Sequence, residues 1–219
     1  MHSENELGYQ TRSDGFGILY GEIAGALIER CGRNGMGIVR KAVAAYGKKK
    51  GKRLREQYMG SGVRTDLHNL MAAEDGCWKD PRTLKTTVRD TPEAQLWEIY
   101  SCPLEKNWRD RGREEAGRLY CEEYLHALMD GYGEGAGQAN VSNSKTCRRD
   151  DRCVMAMYCR TANQNETQKG TGDGNGIIRE IPVEESTLLL YRCFIEVMKE
   201  EKDAEVVAAV RYGIKNGAE

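Results

Sequence analysis

Two helical patterns near the start of the chain, separated by glycines, constrain its fold more than any other feature. Apolar residues recur at intervals of three and four over residues 16–31, the spacing of one face of an α-helix. Gly32–Gly35 ends this pattern. A second pattern covers residues 37–58, and its glycines at positions 47 and 51 leave room for another element to pack closely. The sequence therefore predicts two consecutive helices.

Strand-forming residues follow in the middle of the chain. Residues 84–89 and 96–100 form two such runs and predict an antiparallel hairpin. A helix is predicted over residues 113–129. Residues 139–160 are then predicted to form two more strands, joined by a turn at residues 148–151.

Two amphipathic patterns, at residues 190–198 and 205–212, predict helices at the end of the chain. Helices, hairpin, helix, hairpin and helices in this order indicate an α+β fold, with a helical layer packed on a small antiparallel sheet and an extra C-terminal helical extension. The predicted organisation is a flexible N-terminus (1–14), an α+β domain (15–162), a Gly-rich linker (163–176) and the helical extension (177–219).

Composition and charge exclude some classes of binding partner. The chain has 219 residues, of which 31% are charged, and a net charge of −1, so no overall field attracts nucleic acid. No apolar run approaches the roughly 20 residues that a membrane-spanning helix needs. The N-terminal residues lack a basic stretch followed by an apolar one, so a signal peptide is not predicted. These features predict a cytoplasmic protein that binds neither nucleic acid nor membrane.

Eight cysteines are predicted to be reduced in that compartment, and most of them to serve as small packing residues. There is no Cys-x-x-Cys pair. Cys102, Cys121 and Cys153 are separated by 19 and 32 residues, which matches no close-paired zinc motif. We therefore predict neither a metal centre nor a cofactor.

The stretch Glu114-Glu-Ala-Gly117-Arg-Leu-Tyr120-Cys121 carries the clearest chemical signal. On a helix, Glu114, Gly117 and Cys121 share one stripe. A carboxylate and a thiol then flank a residue without a side chain, which leaves space for another group to approach.

The order of several short motifs resembles the L-2-amino-thiazoline-4-carboxylic acid hydrolase family. Tyr46-Gly-Lys-Lys-Lys-Gly51 is similar to its Tyr-Gly-x-x-Arg-Gly element, with lysine in place of the arginine. Cys102-Pro103, the 114–121 stretch, Gly131-Tyr132 and Asp151-Arg-Cys153 resemble further elements in the family's order. Each element alone is weak, and the match covers roughly residues 16–160.

The chain departs from the family at one position that bears on chemistry. Many members have an aspartate near position 125, where this chain has Leu125 followed by His126. The helical spacing between His126 and Cys121 is also poor for a Cys–His pair.

The resemblance implies hydrolytic opening of a small cyclic amidine or isothiourea. Such a reaction needs a nucleophile, a proton donor and an anchor for the substrate carboxylate. Cys121 is the candidate nucleophile, with a core thiol as the alternative. Glu114 is the candidate acid or base, with a helix N-terminal carboxylate as the alternative. The predicted substrate-binding residues are Cys102, Cys153, Trp108, Tyr120, Lys50 and Arg53.

Two other interpretations remain open at this point. The chain could be a non-enzymatic small-molecule-binding or sensor domain with a cysteine-lined pocket. It could instead be a scaffold, with the apolar stripes of the C-terminal helices as a handle for homo-oligomers. The predicted partners are a small-molecule substrate and a second copy of the chain through those helices.

Overall fold

The computed structural model describes residues 2–61, 66–73, 77–142, 150–163, 181–201 and 203–217. Within these residues the helices are α1 (His2–Ser61), α2 (Leu67–Ala73), α3 (Pro103–Asp110), α4 (Glu114–Gly133), α5 (Val183–Glu201) and α6 (Ala204–Gly217). The strands are β1 (Leu84–Asp90), β2 (Ala94–Ser101), β3 (Gly137–Val141) and β4 (Cys153–Cys159). Cys77–Lys79 and Thr161–Asn163 form short 3₁₀ turns.

Helix α1 reverses direction at Gly32, which has non-helical backbone angles of φ 54° and ψ −128°. In a straight helix, Phe16 and Tyr46 would lie roughly 45 Å apart. Their ring centroids are 6.2 Å apart. The segment is thus a hairpin of two helices, an N-arm (residues 2–31) and a C-arm (residues 33–61), which confirms the predicted helix pair.

The C-arm crosses α4 at a contact built from glycines. A Cβ atom at Gly51 would lie 2.1 Å from the carbonyl oxygen of Leu128, and one at Gly131 would lie 2.1 Å from the carbonyl oxygen of Lys48. Gly47 makes a similar approach to Tyr124. These contacts explain the glycines inside a long helix, where glycine is otherwise unfavourable.

The four strands form one antiparallel sheet in the order β1-β2-β4-β3. Alternate residues of β4, from Cys153 to Cys159, are buried. Helix α4 covers the sheet at β3, where a Cβ atom at Gly137 would lie 2.3 Å from the carbonyl oxygen of Met129. A helical layer on a small antiparallel sheet confirms the predicted α+β fold.

Helix α3 was not predicted, since eight residues give little periodicity. Its signals are Pro103 in the first turn, which is compatible with a helix start, and the apolar pair Leu104 and Trp108 at a spacing of four. The helix positions Trp108 between the N-arm and α4. It therefore contributes to the core around the proposed site.

Residues 2–14, for which the polar sequence suggested a flexible tail, continue α1 as helix. Ser13 is buried, and the carboxylate of Asp14 accepts hydrogen bonds from Arg82 and Asn107. The predicted linker beyond residue 163, and part of the turn predicted at 148–151, lie outside the described residues.

The predicted C-terminal helices correspond to α5 and α6, and both pack on α1. Phe194 lies 6.3 Å from Tyr20 between ring centroids, and a Cβ atom at Gly213 would lie 2.5 Å from the Cα atom of Ile23. Buried residues of these helices thus join the same hydrophobic core as α1 and α4. None of the described helices combines the length and the apolar character needed to cross a bilayer.

Candidate functional site

Lys50 is the most unusual side chain in the described structure, because it is a lysine with only 1% of its surface exposed. It lies one helical turn after Tyr46 on the C-arm. Its Nζ atom is 5.9 Å from the ring centroid of Tyr46 and 5.8 Å from that of Tyr124. Burial of an ammonium group is costly, and the faces of two aromatic rings offset part of that cost. A cation in such surroundings attracts anions strongly.

Three stacked tyrosines connect Lys50 to α4. Tyr46 stacks on Tyr124 with 5.4 Å between ring centroids, and Tyr124 stacks on Tyr120 with 4.9 Å. We call Tyr46, Tyr124 and Tyr120 the tyrosine column. Phe16 and Tyr20 pack edge-on against its Tyr120 end. The tyrosine column, Phe16 and Tyr20 thus form one continuous cluster of aromatic rings, and Lys50 lies at its Tyr46 and Tyr124 end.

The tyrosine column brings together two motifs that are far apart in sequence. The element from Tyr46 to Gly51 lies on the C-arm, and the 114–121 stretch lies on α4. Because Gly47 and Gly51 allow the two helices to cross closely, Lys50 and Tyr120 share one side of the core. Residues whose sequence separation gives no hint of contact are thereby brought close together.

Cys121 follows Tyr120 in the sequence and is partly buried against the core. Burial, followed by the charge of an ionised Cys121, raises the pKa of Tyr20, whose hydroxyl donates to the carbonyl oxygen of Ala116. Arg40 acts in the opposite direction on that pKa, so a guanidinium lies in the same neighbourhood. Glu122 and Glu123 pair with this guanidinium, so it brings no net positive charge to the thiol.

The space beside Gly117 is occupied by Trp108 and is not open to a ligand. A Cβ atom at Gly117 would lie 2.3 Å from Cε3 of the indole. Trp108 is 1% exposed, and its Nε1 donates to the carbonyl oxygen of Gly17 at 2.9 Å. The group that the sequence predicted to approach this glycine is therefore a tryptophan from α3.

Glu114 is partly exposed at the start of α4. Burial raises the pKa of Glu105, and repulsion from Glu114 adds to the effect. Seven helical residues separate Glu114 from Cys121, which is about 10 Å along the axis. The indole of Trp108 lies over the glycine between them. The structure therefore does not bring this carboxylate to the thiol.

The other two candidate cysteines lie at the ends of elements. Cys102 is partly buried with an extended backbone just before α3, and Cys153 is 4% exposed and faces Ile99 across the sheet. Neither forms a disulfide. Among the described residues, no group of three or more His, Cys, Asp or Glu side chains is arranged to hold a metal ion.

The structure distinguishes between the two candidate anchors for a carboxylate. Lys50 points into the core, whereas the side chain of Arg53 is 46% exposed and pairs with Glu185 on α5. Within the basic run at residues 48–55, Arg55 is also buried and pairs with Glu134. Arg53 thus lies on the exposed face of this helix, whereas Lys50 and Arg55 are buried.

Sequence reasoning missed Tyr46 and Tyr124 as site residues. Each lies four residues from a residue that was identified, Tyr46 before Lys50 and Tyr124 after Tyr120. Since residues four apart share a helix face, that spacing was the available signal.

The model of the L-2-amino-thiazoline-4-carboxylic acid hydrolase family matches residues 16–155 of this chain. The matched span includes Lys50, the tyrosine column and Cys121, and it ends before α5. No curated protein and no solved structure matches the chain.

Proposed function

Because the chain belongs to the L-2-amino-thiazoline-4-carboxylic acid hydrolase family, we propose that it hydrolyses a small cyclic amidine or isothiourea that carries a carboxylate. The observation that supports this most is the buried Lys50, whose ammonium group lies over the rings of Tyr46 and Tyr124. Two family motifs contribute the lysine and the thiol.

Lys50 serves as the anchor for the substrate carboxylate. A lysine is a compact point charge, so it holds an anion without the paired geometry that an arginine imposes. The aromatic faces of Tyr46 and Tyr124 suit a flat, positively charged amidinium group. Together these features select small, planar substrates that carry both charges.

Cys121 is the proposed nucleophile. Its thiolate sulfur adds to the ring carbon that lies between nitrogen and sulfur. The bond from that carbon to the ring sulfur then breaks, and the departing sulfur takes the electron pair and a proton from water. The hydroxide left by that water then attacks the same carbon and expels Cys121 as a thiolate, so that the overall reaction consumes one water and yields a carbamoyl group and a thiol.

The remaining candidates have narrower roles in this proposal. Tyr120 is proposed to extend the aromatic surface beside Tyr124, and Trp108 to hold α3 against α4. Cys102 and Cys153 are proposed to line the outer part of the site. Glu114 is proposed to act through a bridging water, since the indole of Trp108 separates it from Cys121.

The test is hydrolysis of 2-amino-thiazoline-4-carboxylate, followed by thiol release and by mass spectrometry of the product. We expect turnover by the wild type and loss of turnover in Cys121→Ser. The matched control is Cys31→Ser, which also changes a partly buried cysteine but lies on the N-arm near Glu205 of α6. Full turnover in Cys121→Ser would exclude the thiol as the nucleophile.

A non-enzymatic binding domain is the second candidate function. It is favoured by the separation of Glu114 from Cys121, because the two do not form an acid–base pair around one reacting atom. This alternative predicts saturable binding of the same class of compound at Lys50 without product formation. Calorimetric titration together with mass spectrometry of the ligand distinguishes the two candidates.

A further inference from the structure

The two edges of the sheet differ in how they are protected against pairing. At one edge, β1 has two register irregularities and carries the charges of Lys85, Arg89 and Asp90. At the other, β3 pairs with β4 in unbroken register over Gly137–Val141 and contains neither charge nor proline. Bulges, charges and prolines are the usual means by which an edge strand avoids further pairing. The β3 edge has none of these.

The β3 edge presents regular backbone groups. The amide of Ser142 donates to the carbonyl oxygen of Val154 at 2.8 Å, which makes this a bonded pair. Since bonding alternates along an antiparallel ladder, residues 138 and 140 bond to β4, and the N–H and C=O groups of residues 137, 139 and 141 point away from it. Within the described part of the chain, β4 is the only strand that pairs with β3.

Of the residues with outward backbone groups, Gly137 and Ala139 line a groove of about 840 Å³. One wall is β3 itself. The other is made of the C-arm and α4, which present the small side chains of Ala44, Ala45 and Ala127. The C-arm therefore lies opposite the open edge of β3. One additional strand would lie between the two.

The charges at the two ends of the groove are different. Gly137 lies level with Met129, so Asp130, its partner Lys48 and the nearby Arg160 mark this end and together carry one net positive charge. Glu123 is six helical residues earlier, or about 9 Å, which corresponds to about three strand residues and places it level with Asn140.

At this second end Arg40 is shared between Glu122 and Glu123, and Arg118 is shared between Glu122 and Glu115. Three carboxylates therefore face two guanidinium groups, which leaves the end negative. An antiparallel strand would enter at the negative end and finish at the positive one. The polarity of the groove therefore matches the charges of a peptide, with its carboxyl end beside Lys48 and Arg160.

We propose that the β3 edge binds an extended peptide from a partner protein as a fifth, antiparallel strand, with the carboxyl end of the peptide at Gly137. This mode of recognition takes its affinity from backbone hydrogen bonds and its selectivity from alternate side chains. A second copy of the chain is less suitable, because its own α4 would cover the added strand where the C-arm of the first copy already stands. The peptide site is separate from Lys50 and does not depend on the proposed hydrolysis.

The probe is a set of synthetic heptapeptides with free carboxyl termini, in which valine or threonine alternates with varied residues. Each carries an N-terminal fluorophore, and binding to the full chain is followed by fluorescence polarisation. We expect binding that weakens about tenfold when N-methylation removes a backbone donor facing β3, and that changes little when the methyl group is on the alternate residues. Amidation of the carboxyl terminus should weaken binding several-fold.

Two variants locate the site. Ala139→Pro removes an outward-pointing N–H without removing a bond to β4 and should abolish binding, whereas Lys50→Met should leave it unchanged. Failure of every heptapeptide to bind, or equal binding of both N-methylated series, would overturn the proposal. So would a wild type that sediments as a dimer and becomes monomeric in Ala139→Pro, since the edge would then pair with a second copy.

Discussion

Lys50 is buried, although it belongs to a run of charged residues that is otherwise largely exposed. Its neighbours Lys48, Lys49 and Lys52 have exposed side chains, as charged residues on a helix normally do. Lys50 alone of the four faces the tyrosine column. Its burial against two aromatic rings distinguishes Lys50 from the exposed lysines of the same run.

Thiol reactivity should separate the cysteines of the site from those of the core. Burial raises the pKa of Cys193 to about 11, with Lys49 opposing the shift. At neutral pH this thiol therefore carries about a hundredfold less thiolate than an ordinary cysteine. We expect iodoacetamide to modify the partly exposed Cys121 well before Cys193, as measured by peptide mass spectrometry over time. Equal rates for the two would contradict the burial described here.

Asp80 predicts a pH-dependent contribution to stability. Burial opposes its ionisation, but hydrogen bonds from Arg82 outweigh burial and lower the pKa of Asp80 below its ordinary value of 3.8. A lowered carboxyl pKa stabilises the fold above the ordinary value, and the contribution is lost as the pH falls through the lowered one. We expect Asp80→Asn to reduce the free energy of unfolding by about 2–3 kcal/mol at pH 7.

The difference between wild type and Asp80→Asn should shrink as the pH falls below about 4, because the carboxyl of the unfolded chain takes up a proton there and that of the folded protein follows at lower pH. Denaturant titrations at pH 7 and pH 3 measure it. A difference of the same size at both pH values would mean that the carboxylate charge is not what stabilises this region.

At the scale of elements, the crossing of the C-arm and α4 determines whether the site exists. A Cβ atom at Gly51 would meet the backbone of Leu128 and Tyr132, which cannot move aside as a flexible side chain can. We expect Gly51→Ala to reduce the free energy of unfolding by about 2–3 kcal/mol through overpacking. The change should also separate Lys50 from Tyr124.

The matched control for that crossing is Gly37→Ala. Gly37 lies on the same arm with no neighbouring atom within 4 Å of an added Cβ. Alanine there should stabilise the helix by about 0.5–1 kcal/mol. Thermal unfolding of the two variants should therefore shift in opposite directions, and a stabilising effect of Gly51→Ala would disprove the close crossing.

The elements themselves were largely predictable, because helices of the length of the N-arm, the C-arm and α4 repeat their apolar pattern several times. Helix α3 was missed because it makes only two turns. The contact between Gly117 and Trp108 was also not predicted, since a glycine on a helix face indicates a close approach but does not identify the approaching residue. The inward orientation of Lys50 depends on where the C-arm crosses α4, and the sequence of the run alone does not define that.

At the scale of the whole molecule, α5 and α6 share the core with the family-matched part of the chain. Phe194 is fully buried against Tyr20, which in turn contacts Tyr120 of the column. We expect Phe194→Ala to lower a single, cooperative unfolding transition, with a cost of about 3–5 kcal/mol. The exposed Arg192 on the same helix provides the control, and Arg192→Ala should change stability by less than about 0.5 kcal/mol.

Differential scanning calorimetry tests whether the chain unfolds in a single cooperative transition. Two transitions, with only the weaker one shifted by Phe194→Ala, would show that the C-terminal helices form a separate unit. Oligomerisation through these helices stays a prediction, with the exposed Leu188 and Tyr212 as the apolar residues that could serve it.

The central claim is that Lys50 anchors the substrate inside the aromatic core. Calorimetric titration of 2-amino-thiazoline-4-carboxylate into the wild type, Lys50→Met and Lys52→Met tests it most directly. We predict that Lys50→Met weakens binding at least about tenfold, since a buried charge-assisted contact is lost. Lys52→Met, which removes an exposed lysine two residues away, should bind as the wild type does. Equal binding by the wild type and Lys50→Met would contradict the account.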